Sequence, residues 1–404
     1  MNIIILTQSY YPDTVSVSQH LTDFSESLVK SGHNVTVLTS SFGYDSEQKF
    51  AKNDLQNGVK IRRIWQTNFG KEIFILRSVN FLTFNLSLLY VGLLIKKSEV
   101  DLVFGSTSPP FSGLVGLILS KIKQTPFYYW VLDLQPELSI ASGLLSKNSL
   151  MAKLFSFFGS YLIKSSTRII SLDRFMTRYL IEKGADRSKI KELPVWPVSE
   201  GQYIGGRDEN QFRIEANFNK RIVIMFSGNH AHVHSLSTLL LAAKTLRSND
   251  DILFAFVGGG VRKQDVSNFK FENSLDNITQ HPFQPRSSFH ISIAASDIQV
   301  VILGNGLVGF THPNKIYGAM FLRKPILYIG PKESHATDIL EEIPGNILVE
   351  HDDVDLLVEK ITIFSKLSLN QIKEIGDANY TYAKNNFNPD VLLKEMIDFV
   401  EEYE

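Results

Sequence analysis

The residues best suited to chemistry lie in the stretch Gly306–Gly330, which combines glycines, a proline and a lysine. Its loop leads into Pro313, Asn314 and Lys315, where a helix is predicted to begin. A proline in the first turn of a helix loses no hydrogen bond, and the free backbone N–H groups there can hold an anion. Lys315 adds a positive charge. The stretch therefore predicts a phosphate site.

Two further glycine turns have the same predicted position, directly after a strand. Gly228 and Asn229 follow the apolar run Ile222–Phe226, and Gly258 and Gly259 follow another. A glycine there lets a ligand approach the backbone, and a following helix directs its positive end toward the ligand. A glycine run is also a common tight turn, so the second signal is weaker than the first.

Three alternating histidines follow the first of these turns, at positions 230, 232 and 234. Imidazole is a common metal ligand, but no cysteine or carboxylate companion lies nearby in the sequence. We therefore expect a histidine, His234 in the predicted site, to donate to a phosphate oxygen. No metal site is predicted.

Phe283 lies between two prolines in the segment Gln280–Pro285. A backbone that these prolines hold open could pair with the edge of a nucleobase, and a plain rigid turn would account for the same pattern. We include Phe283 among the residues predicted to bind a nucleotide.

Carboxylates follow two strands of the first half. Tyr11 and Asp13 come after the first strand, and Asp133 and Glu137 come after the strand beginning at Phe127. A buried strand seldom ends in an aspartate unless the side chain caps a helix or meets a substrate. Asp133 is the stronger catalytic candidate, and Tyr11, Asp13 and Glu137 are predicted on the acceptor side.

Apolar runs rich in Ile, Val and Phe alternate with helical segments, a pattern typical of parallel sheets covered on both faces. The first half contains seven predicted strands: Ile3–Leu6, Val35–Thr39, Lys60–Ile64, Leu102–Gly105, Phe127–Leu132, Arg168–Ser171 and Ile190–Leu193. The second half contains six: Ile222–Phe226, Ile252–Val257, Ile278–His281, Ile298–Leu303, Pro325–Ile329 and Ile347–Val349.

This alternation predicts an α/β protein with two doubly wound, Rossmann-like domains. We place the first at 1–198, a linker at 199–220 and the second at 221–387. Open α/β sheets bind ligands beyond the carboxyl ends of their strands, so an active site is expected in a cleft between two such domains.

Composition narrows the possible functions. The 404 residues include no cysteine, which excludes disulfides, thiolate metal sites and a cysteine nucleophile. No P-loop motif is present, which disfavours P-loop nucleotidases, and the turn after the first strand lacks Gly-x-Gly-x-x-Gly, which disfavours a classical nicotinamide enzyme. The N-terminus has no signal-peptide pattern, and we expect a cytoplasmic protein.

Charge is unevenly distributed along the chain. Residues 1–200 carry 22 Lys and Arg against 16 Asp and Glu, a net +6, and the remainder carries 19 against 26, a net −7. An anionic partner for the first half, such as a membrane leaflet or a polyanion, would account for this, and so would scatter in surface charge. No nucleic-acid partner is predicted.

Two segments of the sequence are candidates for contact with a membrane. Ser78–Ile95 has no charged residue, but its polar side chains favour the buried helix of a βαβ unit over a membrane-spanning helix. Exposed apolar residues nearby, Phe69, Phe74 and Leu76, could still touch a bilayer. Leu150–Lys164 is an apolar helix with basic flanks, and is either a core helix or an interfacial one.

Together the two α/β series, the Phe226–Asn229 loop, the Gly258 turn and the block Pro313–Gly318 resemble glycosyltransferase family 4, and most closely its WbuB/WcaI-like bacterial branch. The likeness extends over nearly the whole chain. It implies the GT-B fold, with two facing Rossmann-like domains, an acceptor-binding N-terminal domain and a donor-binding C-terminal domain. It also implies that a C-terminal helix, at 388–404, packs back on the N-terminal domain.

The resemblance implies a retaining glycosyltransferase that moves a hexosyl or N-acetylhexosaminyl group from a nucleotide sugar, UDP-linked in most relatives, to a lipid-linked or growing surface polysaccharide such as O-antigen or capsule. Lys315 would neutralise the diphosphate in place of a metal, and no cofactor is implied. The predicted donor residues are Gly228, Asn229, His234, Gly258, Gly259, Phe283, Asn314, Lys315, Tyr317 and Gly318. The protein would act at the inner membrane face as a peripheral protein.

The chain departs from the family in one respect. Many members carry two glutamates, one that contacts the donor sugar and one that contacts the ribose, where this chain has Phe310 and Gly318. Two alternatives to a transferase follow: a UDP-sugar 2-epimerase of the same fold, and a non-catalytic subunit that binds nucleotide or membrane.

Overall fold

The computed structural model describes residues 1–13, 15–43, 48–70, 74–197, 203, 205–219, 221–231 and 235–402. The chain forms two compact units. The first contains Met1–Val195, Gly309–His312 and Pro389–Glu404, and the second contains Trp196–Val308 and Pro313–Asn388.

An eight-stranded sheet forms the centre of the first unit. Its elements in chain order are β1 (Asn2–Leu6), α1 (Ser16–Lys30), β2 (Asn34–Ser40), β3 (Asn53–Gln56), β4 (Val59–Ile64), α2 (Phe74–Leu94), β5 (Leu102–Ser106), α3 (Ser112–Lys123), β6 (Phe127–Trp130), α4 (Glu137–Ala141), α5 (Leu150–Ser165), β7 (Arg168–Ser171), α6 (Arg174–Glu182) and β8 (Ile190–Glu192). The strand order is β3-β4-β2-β1-β5-β6-β7-β8. All neighbours are parallel except β3, which pairs antiparallel with β4.

The second unit has a six-stranded parallel sheet. Its elements are α7 (Gln211–Glu215), β9 (Ile222–Asn229), α8 (Ser237–Thr245), β10 (Ile252–Gly259), α9 (Lys263–Glu272), β11 (Ile278–His281), α10 (Phe289–Ala294), β12 (Ile298–Ile302), α11 (Lys315–Phe321), β13 (Ile326–Ile329), α12 (His335–Leu340), β14 (Ile347–Val349), α13 (Val354–Ser365) and α14 (Leu369–Asn386). The strand order is β11-β10-β9-β12-β13-β14.

Each sheet reverses its winding at one point, because successive strands are added first on one side of the starting strand and then on the other. The reversal falls between β1 and β5 in the first sheet and between β9 and β12 in the second. Ligands of doubly wound sheets bind beyond the carboxyl ends of the strands at this reversal. The fold therefore directs attention to the loops after these four strands.

The last helix, α15 (Pro389–Glu401), belongs to the first unit. Met396, Phe399 and Val400 are buried, and α15 packs against α1. Ion pairs hold its end: Glu401 accepts from His33 at 2.8 Å, and Glu402 from Arg168 at 2.8 Å. The guanidinium of Arg168 also lies 4.6 Å from the centre of the Phe399 ring.

The helix α2 differs from its prediction as a buried helix. Phe84 and Leu88 are fully buried, but only 28% of its most hydrophobic window lies inside the structure. Its residues Ile75–Leu94 have the length and apolarity to cross a membrane. The sheet of the first unit covers one side of α2, and the other side is open.

Candidate functional site

Glycines at the ends of β9 and β10 bring two backbones into unusually close contact. Gly258 pairs with Gly228 in the parallel register of these strands, and both have a positive φ, +136° and +114°. A Cβ placed on Gly258 would lie 2.0 Å from the carbonyl oxygen of Gly228. Only glycine fits here, and the turn keeps a flat backbone surface at the reversal point of the second sheet.

Lys315 is the cation of this surface. Its ammonium lies 3.9 Å from the centre of the Phe226 ring and beside Gly228, where an added Cβ would be only 2.9 Å from Lys315 Cε. Among the described residues, Nζ is buried without a hydrogen-bond partner. Burial lowers the pKa of Lys315 to about 7. A buried ammonium without a partner is costly and is suited to receive an anion.

The helix that follows contributes less than the sequence suggested. α11 begins at Lys315 and has seven residues, and Asn314 occupies the position before it without a side-chain cap bond. Such a short helix has a weak dipole, so the side chain of Lys315 supplies most of the positive charge.

His230 also faces this region, although the sequence analysis predicted His234 for this role. It is 1% exposed, its Nδ1 lies 3.1 Å from Gly259 O, and its Nε2 is buried without a described partner. Burial lowers the pKa of His230, and the charge of Lys315 lowers it further. A neutral His230 uses its single N–H, on Nδ1, to donate to Gly259 O, so its Nε2 can only accept a hydrogen bond from a ligand. His232 and His234 lie outside the described residues.

Phe283 leaves 59% of its surface exposed and lies directly over the backbone of Gly259. A Cβ at Gly259 would approach its ring to 2.9 Å. The exposed ring beside the glycine turn offers a flat apolar surface of the kind on which a base can stack.

Tyr317 and Gly318 have different surroundings. The ring of Tyr317 is fully buried against Phe387, and its hydroxyl lies 2.9 Å from His335 Nε2, so it supports α11 from the inside. At Gly318 an added Cβ would meet nothing within 4 Å. The position of the family's ribose glutamate is therefore open space in this chain.

In the first unit, Asp133 and Glu137 line one pocket beyond the carboxyl ends of β5 and β6. This pocket is partly open to solvent. Its polar side also includes Thr107, Tyr179 and Lys183, and its apolar side includes aromatic residues of α5. One pocket thus brings together two of the predicted carboxylates.

Asp133 is held in place at both its backbone and its side chain. Thr107 Oγ1 accepts from the backbone N of Asp133 at 3.1 Å, and Thr311 Oγ1 donates to Asp133 Oδ1 at 2.6 Å. Burial raises the pKa of Asp133, while the bond from Thr311 and the charge of His312 act in the opposite direction. The alternative predicted for this residue, a helix cap, is not seen at the next helix, α4, whose N-cap position is Pro136 without a side-chain cap bond.

The segment Gly309–His312 belongs to the first unit through three hydrogen bonds. Besides the bond from Thr311, Phe310 O accepts from Leu134 N at 2.8 Å, and His312 Nδ1 lies 2.9 Å from Asp173 Oδ2. Phe310, at the position of the family's other glutamate, packs edge-on against Tyr179 at 5.0 Å. An aromatic contact therefore occupies the place where many relatives have a carboxylate.

Glu137 is paired within the pocket. Tyr179 donates its hydroxyl proton to Glu137 Oε1, and Lys183 Nζ lies 3.6 Å from the same oxygen. Burial and the neighbouring carboxylate raise the pKa of Tyr179 well above its ordinary range. Glu137 is therefore a fixed acceptor of hydrogen bonds, with one oxygen engaged.

Tyr11 and Asp13 lie elsewhere, after β1. The backbone oxygen of Tyr11 accepts from Arg63 Nη2 at 2.9 Å, and the backbone oxygen of Asp13 accepts from Ser18 Oγ at 3.0 Å. Neither is among the residues that line the pocket of Asp133.

Sequence reasoning missed several residues of these sites: Thr107, Thr311, His312, Tyr179, Lys183 and His335. Thr311 and His312 directly precede the motif that carried the prediction, so their position was a usable signal. Tyr179 lies on α6 and Lys183 directly follows that helix, and nothing in the sequence distinguishes either from a surface residue. In the described part of the chain, no group of three or more His, Asp or Glu could hold a metal ion.

Comparison with known proteins places this geometry in context. Residues 17–196 match the model of the glycosyl transferase 4-like domain. The curated protein "Probable glycosyltransferase WbjE" of Pseudomonas aeruginosa is 24% identical over 245 residues, and the chain spans 60% of that protein's length.

Three solved structures superpose over nearly the whole chain. Anabaena Alr3699/HepE in complex with UDP and glucose has a TM-score of 0.74 at 14% identity and full coverage of both chains. WaaG, a glycosyltransferase involved in lipopolysaccharide biosynthesis, has a TM-score of 0.70 at 11% identity, with 99% of each chain covered. S. aureus TarM in complex with UDP has a TM-score of 0.68 at 8% identity, with 99% of this chain and all of that one covered. These likenesses confirm the GT-B fold.

Proposed function

We propose that this chain, which contains a glycosyl transferase 4-like domain within a GT-B fold, is a retaining glycosyltransferase that uses a UDP-sugar. The observation that carries the proposal is the buried, unpaired ammonium of Lys315 beside the glycine turns of Gly228 and Gly258. A cation in that position suits a diphosphate. HepE, whose fold this chain shares, is seen in complex with UDP and glucose.

In the proposed reaction, the bond between the sugar C1 and the β-phosphate oxygen breaks, and the acceptor oxygen bonds to C1 on the same face. Negative charge develops on the departing UDP, and Lys315 stabilises it because the ammonium is already held in a dry site. Phe283 stacks on the base. Transfer needs no metal and no cofactor in this scheme.

The pocket of Asp133 and Glu137 is the proposed acceptor site. Asp133 orients the acceptor hydroxyl, and the hydroxyl proton passes to the departing phosphate oxygen, so atoms and charge balance without a carboxylate nucleophile. Glu137, fixed by Tyr179 and Lys183, accepts from a second hydroxyl. We take the acceptor to be a lipid-linked or growing surface saccharide, such as O-antigen or capsule, in the WbuB/WcaI-like branch.

The setting of the reaction follows from this acceptor. WbjE of Pseudomonas aeruginosa is named a probable glycosyltransferase, and WaaG is involved in lipopolysaccharide biosynthesis. By analogy we assign this protein to bacterial polysaccharide synthesis at the cytoplasmic face of the inner membrane.

A non-catalytic subunit is the second candidate, because Phe310 and Gly318 replace two glutamates of the family. In this candidate, Lys315 and Asp133 would have only structural roles. The two candidates make opposite predictions for the sugar-transfer activity of a variant that removes the ammonium of Lys315 and keeps the volume of its side chain.

The test is Lys315→Met, with Lys360→Met, an exposed lysine of α13, as the matched control. We expect Lys315→Met to lower sugar transfer or UDP-sugar hydrolysis about 10²-fold or more, because a single donor to a developing charge contributes that much. Its melting temperature should stay equal or rise, since a buried unpaired charge is removed.

A thermal-shift screen of UDP-sugars identifies the donor for this assay. If no UDP-sugar binds the wild-type protein, or if Lys315→Met retains the turnover of Lys360→Met, the transferase assignment is wrong and the non-catalytic candidate is favoured.

A further inference from the structure

Three helices of the first unit, α2, α3 and α5, lie side by side on one side of the sheet. α2, α3 and α5 each lead from one strand to a strand nearer the β8 edge of the sheet. Because such crossovers are right-handed, the three helices lie on the same face of the sheet. α2 contacts α3, and α3 contacts α5. α1 connects β1 to β2, in the opposite direction along the sheet. It therefore lies on the other face of the sheet, where it contacts α15. The three helices therefore share one outward surface.

That surface is apolar and uncovered. Its outward residues include Leu82 and Leu86 of α2, Ile118 and Ile122 of α3, and Leu154 and Phe157 of α5, and we call them the apolar face. Each leaves between 45% and 67% of its surface exposed. Large contiguous apolar patches are rare on proteins that face water only, so this one requires an occupant.

The charges of the same helices identify the occupant. α2, α3 and α5 contain no Asp or Glu, and their five charged residues are all basic: Arg77, Lys121, Lys123, Lys153 and Lys164. Lys123 is buried and donates to Leu93 O at 3.2 Å, which ties α3 to the end of α2. The other four are at least partly exposed on the same three helices.

A second copy of the chain would fit this surface poorly, because a symmetric contact would bring lysines against lysines. An anionic lipid bilayer matches both properties, since it offers hydrocarbon to the apolar face and phosphate to the lysines. The charge of the three helices therefore favours a membrane over self-association.

The acceptor pocket borders this surface, because residues of α5 that line the pocket are sequence neighbours of Leu154 and Phe157. Phe111, Phe155 and Phe158 line the pocket that contains Asp133, and Phe111 and Phe158 are each 38% exposed next to the apolar face. The ring of Phe111 stacks on Phe155 at 4.4 Å, and its backbone is held at φ +70°, in the left-handed region. A bulky residue held in that region costs free energy, and such strain clusters at ligand sites.

We propose that the apolar face inserts into the hydrocarbon boundary of an anionic bilayer, and that the aromatic side of the Asp133 pocket opens toward that bilayer. An acceptor with a lipid tail then presents its polar head to Asp133 and Glu137 while the tail stays among the lipids. The acceptor part of this proposal rests on the proposed function, and the membrane part does not.

The membrane part is tested by flotation with vesicles of phosphatidylglycerol and phosphatidylcholine, without donor or acceptor. Wild-type protein should float with these vesicles and bind pure phosphatidylcholine more weakly. Phe157→Ser should reduce binding about tenfold, because a buried aromatic side chain contributes that much to partition. Lys153→Gln should reduce it about fivefold, an effect that added salt also produces.

The matched controls lie in the second unit: Phe271→Ser, a phenylalanine of α9 that is 87% exposed, and Lys244→Gln of α8. Melting temperatures check that all four variants fold, which their exposed positions favour. Wild-type protein that does not float, or Phe157→Ser that floats like Phe271→Ser, would overturn the proposal. So would a wild-type dimer that Phe157→Ser converts to a monomer, since the face would then be a contact between copies.

The acceptor part is tested with one saccharide acceptor in two forms, lipid-linked in vesicles and water-soluble. Phe157→Ser should lose turnover relative to Phe271→Ser on the first form and match it on the second. Equal loss on both forms would overturn the link between the face and the pocket. If neither form is used but flotation succeeds, the transferase assignment fails and the membrane surface stands.

Discussion

At the scale of single residues, Gly228 and Lys315 depend on each other. An added Cβ at position 228 would lie 2.9 Å from Lys315 Cε and 3.2 Å from Nζ, so any other residue there displaces the lysine. Gly228 is therefore needed both for the backbone turn and for the position of the Lys315 side chain. A mutation at position 228 should act on catalysis through the position of Lys315.

The pKa of Lys315 gives a prediction for nucleotide binding. Burial lowers that pKa to about 7 from its ordinary value of 10.5, so the free protein loses this charge as the pH rises through about 7. A bound diphosphate restores it, and binding then takes up a proton. We expect the affinity for UDP to fall by up to about tenfold per pH unit above pH 7, where the charge of UDP itself is constant.

Titration calorimetry in buffers of different ionisation enthalpy measures both the affinity and the proton uptake. Lys315→Met should bind UDP weakly with no such slope. In the absence of nucleotide, the unfolded chain binds this proton more tightly than the folded one, so the free energy of unfolding should rise more between pH 7 and 10.5 in the wild-type protein than in Lys315→Met, which keeps only the smaller rise due to Lys324. A UDP affinity that is independent of pH would contradict this role for Lys315.

At the scale of single residues, the sequence predicted where the backbone could bind a ligand, but it did not predict which side chains contact each other. Gly228, Gly258 and Lys315 were visible because glycines after strands and a lysine after a proline have local signatures. That Tyr317 would be buried against Phe387, or that Thr311 would bond to Asp133, depends on contacts between residues far apart in the chain. No local pattern encodes such contacts.

At the scale of elements, α15 closes the first unit. Phe399 lies between the guanidinium of Arg168 and the ring of Tyr128, whose centre is 6.1 Å away. The family resemblance implied that a C-terminal helix packs back on the first domain, and the contacts of α15 with α1 agree with it.

Phe399→Ala tests the contribution of α15. Removing a buried phenylalanine leaves a cavity, and we expect the free energy of unfolding of the first unit to fall by about 3–5 kcal/mol. Val391→Ala, on the exposed side of the same helix, should change it by less than about 0.5 kcal/mol. Denaturant unfolding followed by circular dichroism compares the two, and equal effects would mean that α15 contributes little to the unit.

Most strands were predictable at this scale because parallel strands buried on both faces appear as unbroken apolar runs. β3 was missed since its residues, Asn53–Gln56, are largely polar and exposed. A signal existed: Asn57 and Gly58 both have positive φ and form the hairpin turn to β4, as an Asn-Gly pair often does. The exposure of α2 was missed because apolar side chains alone do not tell whether protein or lipid covers them.

At the scale of the whole molecule, the charge distribution should orient the protein. The net charge is only −1, so no overall attraction draws the chain to an anionic surface. The basic residues of α2, α3 and α5 act locally instead. The apolar face should therefore meet the bilayer.

The absence of cysteine makes this orientation measurable. An environment-sensitive dye attached to Phe157→Cys should shift its emission to the blue when vesicles of phosphatidylglycerol and phosphatidylcholine are added. The same dye on Phe271→Cys should not shift. Equal shifts at both positions would show that the protein does not bind in one orientation.

The path of the chain through the two units has a practical consequence. The first unit includes Gly309–His312 and Pro389–Glu404, which follow the linker in the sequence. A chain cut between residues 196 and 219 would therefore carry the sheet of the first unit in one piece and its last helix in the other. The two pieces of a chain expressed with such a break would still need each other to complete the first unit. A split version, with the halves fused to a bait and a prey, should regain transferase activity only when the two are brought together.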